Sequence, residues 1–330
     1  MRRTHALRLT ALAVGAALAF SACGVTDEGD SSSDGISGRE IMVPNSAGGG
    51  YDTTARTAAS VIESEGIADD LEVFNLEGAG GTVGLARTVN EKGNGDLAML
   101  MGLGVVGASY TNDTEATLND TTPLARLIEE PGAVIVSKDS PFKTIDDLIA
   151  AWTKDPGKLT VGGGSNPGGP DHLFPMQFAD AVGIDPKQVN FVTYDGGGDL
   201  LPAILGNKLD FATSGAGEFL DQIASGDLRV LATSGEERLA AVPDAPTLNE
   251  SGVDLVFTNW RGIVAPPGIS DEDRDAWIDA LEEMHASAGW EKALADNGWT
   301  DAFIVGDEFG TFLKEQDTRV VDTLTALGLV

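Results

Sequence analysis

The chain has 330 residues, of which 21 are basic and 52 acidic, for a net charge of −31, and it contains one cysteine. So acidic a balance excludes a nucleic-acid partner, which needs basic surface to displace counterions. A single cysteine excludes an internal disulfide, so the folded part must be held by its core.

Arg2, Arg3 and Arg8 precede an apolar stretch from Leu9 to Phe20, and Ser21 and Ala22 lead into Cys23. Charge, short apolar run and small-residue site in that order read as a secretory signal over residues 1–22, too short to span a bilayer as a mature helix. The cysteine after the small residues resembles a lipobox, so Cys23 is expected to carry the lipid. Residues 23–38 include Asp27-Glu28-Gly29-Asp30-Ser31-Ser32-Ser33-Asp34-Gly35, which has little to bury and reads as a flexible tether. The protein is thus expected outside the cytoplasm, anchored to the outer face of the cell membrane.

From Arg39 onward short apolar runs alternate with helical stretches, the mark of α/β architecture. Ile41–Val43 reads as a strand, and Asp52–Glu65 as a helix with Ala55, Ala58, Ala59 and Ile62 on one face. Leu71–Leu76 is a strand, Thr82–Asn90 a helix, and Leu97–Met101 and Ala133–Val136 strands. Thr144 opens a helix with Asp147 in the capping-box position. Leu159–Val161, Phe191–Thr193, the segment around Phe211, Val230–Ala232 and Ile263–Ala265 continue the strand series. Ser270 with Asp273 caps another helix, and a last helix covers about Glu308–Leu327.

Glycines cluster where strands hand over to helices: Gly48-Gly49-Gly50, Gly78-Ala79-Gly80-Gly81, Gly162-Gly163-Gly164 with Gly168-Gly169, and Gly196-Gly197-Gly198. In parallel sheets such turns lie at the carboxyl ends of strands, where these folds bind ligands. A glycine turn lets the backbone approach a ligand and leaves helix-start N–H groups free. Converging helix starts make an anion site with few basic side chains. The supporting donors are Asn45, Ser46, Thr53, Thr82, Ser165, Asn166 and Ser214, an inventory that suits a carboxylate.

Other chemistries lack their signatures. Val83 stands where G-x-G-x-x-G needs its last glycine, and no G-K-[ST] or G-x-S-x-G occurs. With Cys23 lipidated and three histidines dispersed, no His/Cys metal cluster can form, although a carboxylate-only site stays open. No enzyme activity and no cofactor are expected. Asp52 either caps its helix or touches the ligand. His172 either donates to a carboxylate or bonds locally, and Asp195 either orients its loop or meets a ligand ammonium. Trp260 and Arg261 serve either as packing and a surface ion pair or as ligand contacts.

The stretch Val43-Pro44-Asn45-Ser46-Ala47-Gly48-Gly49-Gly50-Tyr51-Asp52-Thr53-Thr54-Ala55-Arg56 resembles the V-P-x-x-x-G-G-G-x-D-x-x-A-R opening of the tripartite tricarboxylate transporter substrate-binding proteins, the Bug family. Asn75-Leu76-Glu77-Gly78-Ala79-Gly80-Gly81 with Gly84 is similar to that family's second loop. Tyr194-Asp195-Gly196-Gly197 with Leu205–Asp210, then Gly226–Ala232 and Pro243–Leu248, resemble its later motifs in order. The resemblance covers essentially Arg39 to the C-terminus. It implies a type II periplasmic-binding-protein-like fold: two Rossmann-like lobes with a ligand cleft between them, lobe 1 over 39–136 and 260–330 and lobe 2 over 137–259. It also implies ligand contacts from Asn45, Ser46, Gly48, Gly49, Gly50, Tyr51, Asp52, Gly78, Ala79, Gly80, Gly81 and Thr82 on the first lobe. On the second they come from Gly164, Ser165, Asn166, His172, Tyr194, Asp195, Gly196, Gly197 and Ser214. The expected function is reversible capture of a small carboxylate (citrate or another tricarboxylate, or a dicarboxylate) by a monomer. The lobes would hinge near Val136 and Asn259 and deliver the ligand to a two-part membrane permease. The alternative is a sensory adaptor for a membrane histidine kinase. The first loop, Asn45-Ser46-Ala47, and the third, Asn166–Pro170, depart from the common pattern, so citrate does not follow from the resemblance.

Overall fold

The computed structural model describes residues 35–194 and 196–330. The signal, Cys23 and nearly all of the tether lie outside the described residues, as does Asp195. In chain order the elements are β1 (Glu40–Val43), α1 (Gly50–Ser64), β2 (Glu72–Asn75), α2 (Thr82–Asn90), β3 (Leu97–Gly102), α3 (Leu103–Thr111), β4 (Thr122–Ser137), α4 (Ile145–Lys154), β5 (Thr160–Gly163) and α5 (Pro170–Ala181). They continue as β6 (Asn190–Thr193), α6 (Gly197–Leu205), β7 (Phe211–Gly215), α7 (Leu220–Ala224), β8 (Leu228–Thr233), β9 (Thr258–Ala265), α8 (Asp271–His285), α9 (Ala288–Asn297), β10 (Thr300–Val305) and α10 (Gly306–Leu327).

Two lobes share one long strand. β4 pairs with β9 from Thr122 to Pro131 and with β10 over Ala125–Glu129. From Gly132 onward its partners are β7 and β8. The first lobe adds the parallel β2–β1–β3 group to β9, and the second adds the parallel β7–β5–β6 group. The strand therefore changes sheets at Pro131–Gly132, earlier than the crossing expected near Val136.

The elements follow from local sequence where their signals are local. Apolar Ala55, Ala58, Ala59 and Ile62 of α1 are all buried, matching the face expected of an amphipathic helix. Thr144 and Asp147 close the capping box of α4, with Asp147 N–H donating to Thr144 Oγ1 at 3.2 Å and Thr144 N–H to Asp147 Oδ2 at 3.0 Å. Ser270 caps α8 by accepting from Asp273 N–H at 3.0 Å.

Besides α9 and β10, which the sequence reading also left unnamed, two stretches escaped it for identifiable physical reasons. α3 is buried on nearly every side, so it shows no apolar stripe and its two glycines read as loop. The first half of β4 carries Pro123 and Pro131, residues that normally end a strand. Here the two prolines fall at its start and at the sheet change.

The packing ties the lobes together. One cluster runs from Met99 and Val105 of the first lobe through Val134 and Val136 to Trp152, Phe174 and Phe178 of the second. Trp152 is fully buried against Phe178 and Phe211 at ring separations of 5.3 and 5.1 Å. A second cluster lies beneath α1, α8 and α9, and a third fills the far face of the second lobe.

Candidate ligand-binding cleft

Two of the glycine turns have the same construction, one in each lobe. Gly49 precedes α1 at φ −80°, ψ 174°, and Gly169 precedes α5 at φ −78°, ψ 170°. The glycine before each is left-handed, Gly48 at φ +83° and Gly168 at φ +86°. In each turn the third helical residue accepts from that glycine's N–H: Asp52 Oδ2 from Gly48 at 2.8 Å, and His172 Nδ1 from Gly168 at 3.2 Å. No side chain caps the first N–H groups of α1, whereas at α5 Pro170 has no N–H to offer and Asp171 N–H donates to Ser165 Oγ at 2.9 Å. The acceptors lie inside the turn, leaving the outer face of the loop to the cleft.

Asp52 and His172 are thus loop builders. Asp52 Oδ1 also accepts from Arg56 Nε at 2.9 Å and Asn75 Nδ2 at 3.0 Å, and Asn75 Nδ2 reaches Asn45 O at 2.9 Å. Burial would raise the Asp52 carboxyl, but Arg56, the Gly48 N–H and Asn75 outweigh it and hold it below the usual range. Burial lowers the His172 imidazole to about 4, so it is neutral at physiological pH and accepts at Nδ1. An unfolded histidine titrates near 6.5, so between about pH 6.5 and 4 the unfolded chain holds a proton that the folded chain refuses. Stability should fall by about 1.4 kcal/mol per pH unit as pH drops through that window and level off below it. Urea unfolding across the window is expected to show a shallower fall in His172→Gln, which keeps an acceptor but does not titrate.

The turns open into one cleft of about 960 Å³. From the first lobe it receives Asn45, Ser46, Gly48, Gly49, Gly50, Tyr51 and Gly80, and from the second Gly164, Ser165, Asn166, Gly196 and Gly197. Other expected residues stand behind it. Thr82 Oγ1 bonds to Ala79 O at 3.0 Å, and Ala79 O also accepts from Asn112 at 3.0 Å. Gly78 and Gly81 sit against Val83 and Val105 respectively, leaving Gly80 as the second loop's only lining residue. Tyr194 packs with the far core of the second lobe, and Ser214 is buried, donating to Asp171 Oδ2 at 3.3 Å.

The cleft also holds residues that no motif announced. α3 brings Gly104 and Ala108, and Gly104 N–H donates to Tyr51 Oη at 3.1 Å. Burial raises the Tyr51 phenol to about 12, so it remains neutral. Glu130 of β4 and Arg261 of β9 pair at the lobe junction, and Arg261 Nη1 donates to Thr54 Oγ1 at 3.1 Å. This pair is buried, in contrast to the surface ion pair considered for Arg261. Its neighbour Trp260 is fully buried against Phe309 and Phe312 and is packing alone. Gly50 is required beside Arg261, because a Cβ there would come within 2.5 Å of Nη2. Asp171, Glu218, Asp221, Asn259, Asn297 and Trp299 complete the polar rim and floor. Asp171 was legible only as an acidic residue following Pro170, the ordinary composition of a helix first turn.

Residues 55–329 match the model of the tripartite tricarboxylate transporter family receptor. The chain belongs to that family. Its members are solute-binding receptors, which agrees with a cleft built from backbone loops of two lobes. A solute-binding protein of the same type from Polaromonas is 27% identical, with a TM-score of 0.71 over 87% of this chain and 97% of that one. MatC of Rhodopseudomonas palustris, solved with bound malate, has a TM-score of 0.72 at 22% identity, covering 87% of this chain and 98% of its own. Another R. palustris protein, solved with adipate, has a TM-score of 0.76 at 20% identity, covering 88% and 97%. The fold expected from the sequence is therefore the one observed. Among the described residues no helix is long and apolar enough to cross a membrane.

Proposed function

We propose that this receptor captures a small carboxylate in the cleft by lobe closure and passes it to a two-component membrane permease. The observation that carries the reading is the meeting at one cleft of two glycine-rich helix starts without side-chain caps, α1 from the first lobe and α6 from the second. Free N–H groups and positive helix ends favour an anion without needing a surplus of basic side chains. Two proteins of the same fold were solved with malate and with adipate, both small dicarboxylates, which supports an acid of that kind here. Closure would hinge where β4 passes from one sheet to the other at Pro131–Gly132 and where the chain returns to the first lobe at the start of β9, and contacts from both lobes would favour the closed state.

Thermal unfolding of the purified protein against tricarboxylates, dicarboxylates, aromatic acids and acidic amino acids tests this reading. Ligand at about a hundred times its dissociation constant should add about 2.7 kcal/mol of stability. A shift with one class of acid names the substrate, and no shift with any acid removes the carboxylate reading. Cys23 is proposed as the lipid attachment point that keeps the receptor near its permease. Cys23→Ala should then move the protein from the membrane fraction to the soluble fraction, and an unchanged distribution would remove the anchor.

A further inference from the structure

An anion seated on the helix start of α6 lies against two carboxylates. A Cβ on Gly164 would come within 3.1 Å of Gly197 N and 3.2 Å of Asp171 Oδ2, and a Cβ on Gly197 would fall on Glu218 Oε2. The turn is thus flanked by acid on both sides. Asp171 Oδ2 is fixed there, accepting from Gly164 N–H at 2.9 Å and from Ser214 Oγ at 3.3 Å, while Oδ1 accepts no hydrogen bond among the described residues. Glu218 keeps an exposed face toward the cleft although protein encloses it elsewhere.

The other groups around this pair add negative charge or none. Glu130 and Asp221 line the same cleft, Asp199 stands in the first turn of α6, and Asp195 lies outside the described residues. His172 is neutral above about pH 4 and its Nδ1 is taken by Gly168 N–H, and the Tyr51 phenol is neutral too. Among the described residues the only basic side chain lining the cleft is Arg261, which is paired with Glu130. The call for an anion comes from elsewhere in the cleft: α1 and α6 open without side-chain caps, and Arg261, only 4% exposed, keeps its Nε–H without an acceptor. An acid bound at the α6 start therefore needs a positive charge that no side chain supplies there. A proton meets that need, because two neighbouring carboxyls ionise together only at a cost, and the one that stays protonated becomes a hydrogen-bond donor.

We propose that the cleft binds a proton together with its acid: Asp171 and Glu218 share it, and the protonated carboxyl donates to the ligand carboxylate at the α6 start. This rests on the carboxylate reading above and deepens it to a site for an anion and one proton. Burial and then the charge of Glu218 push Asp171 up to about 8, and burial and then Glu130 raise Glu218. Below about pH 8 the proton is already in place in the free protein. Above that, binding must take it up from water, so affinity falls about tenfold for each further pH unit.

Titration calorimetry of the purified protein with succinate, malate, adipate and tricarballylate from about pH 7 to about pH 9.5 tests this, since these acids are ionised throughout that range. For the acid that binds, affinity should hold to about pH 8 and fall at least tenfold by about pH 9.5. At the upper end the heat should vary with buffer ionisation, in the sense of up to one proton taken up per ligand. Asp171→Asn offers an amide donor that needs no proton, while its carbonyl oxygen can still accept from Gly164 N–H. It should bind at about pH 9.5 as tightly as the parent does at about pH 7. Because it keeps every other titrating group, it separates this proton from any general effect of alkali. Glu218→Gln should flatten the profile in the same way. Parent affinity within twofold across the range, proton release instead of uptake, or an undiminished fall in Asp171→Asn overturns this proposal and leaves the carboxylate reading standing. Failure of all four acids to bind at about pH 7 removes both.

Discussion

Arg261→Met is expected to destabilise the protein by about 3–5 kcal/mol, because it leaves Glu130 as an uncompensated charge in the buried junction. The two side chains are only 5% and 11% exposed, so water cannot take the place of the lost partner cheaply. Thr54 Oγ1 loses a donor in the same step. Urea unfolding of the single variant and of Arg261→Met with Glu130→Gln separates the causes. The double variant should recover most of the loss, since a neutral amide needs no counter-charge and an apolar replacement of a buried pair is often close to neutral. A loss below about 1 kcal/mol in the single variant would mean that water reaches the pair and that it behaves like a surface ion pair.

Gly107→Ala is expected to lower ligand affinity at least tenfold, about 1.4 kcal/mol, while both lobes stay folded. Gly107 lies on α3 of the first lobe, and a Cβ there would overlap the carbonyl of Gly168 in the second-lobe loop. Both groups are backbone, so no rotamer change relieves the overlap, and the helix and loop must separate. That separation also draws Ala108, which lines the cleft, away from the loop carrying Ser165 and Asn166. Calorimetry with the best acid from the panel, alongside circular dichroism, reads the two effects independently. Affinity within twofold of the parent would show that capture does not need this approach of the lobes.

The first prediction concerns a pair within the first lobe beside the sheet change and the second a contact between lobes, and neither was legible in the chain. Arg261 and Glu130 are separated by 131 positions, and each stands in a strand with no motif around it. Gly107 sits in an apolar stretch whose helix shows no face, because protein surrounds it. By contrast, the parallel construction of the Gly48–Asp52 and Gly168–His172 turns was legible in part. The glycine runs and the helix starts could be placed from sequence. The inward direction of Asp52 and His172 could not, since it depends on which way each loop closes over its helix.

The sequence by itself determined what local chemistry determines. Apolar runs set the strands, Thr144 with Asp147 and Ser270 with Asp273 set helix starts, and glycines set the turns at strand ends, because each signal spans only a few neighbouring residues. The motif order from Val43 to Leu248 carried the family resemblance for the same reason. Only the tertiary structure decided which of those residues face the cleft, that Gly80 lines it while Gly78 and Thr82 stand behind, and that Glu130, Asp171 and Glu218 share it with one paired arginine. Those facts follow from how two sheets meet along β4, and a charge acquires its partners there from segments that the chain order keeps far apart.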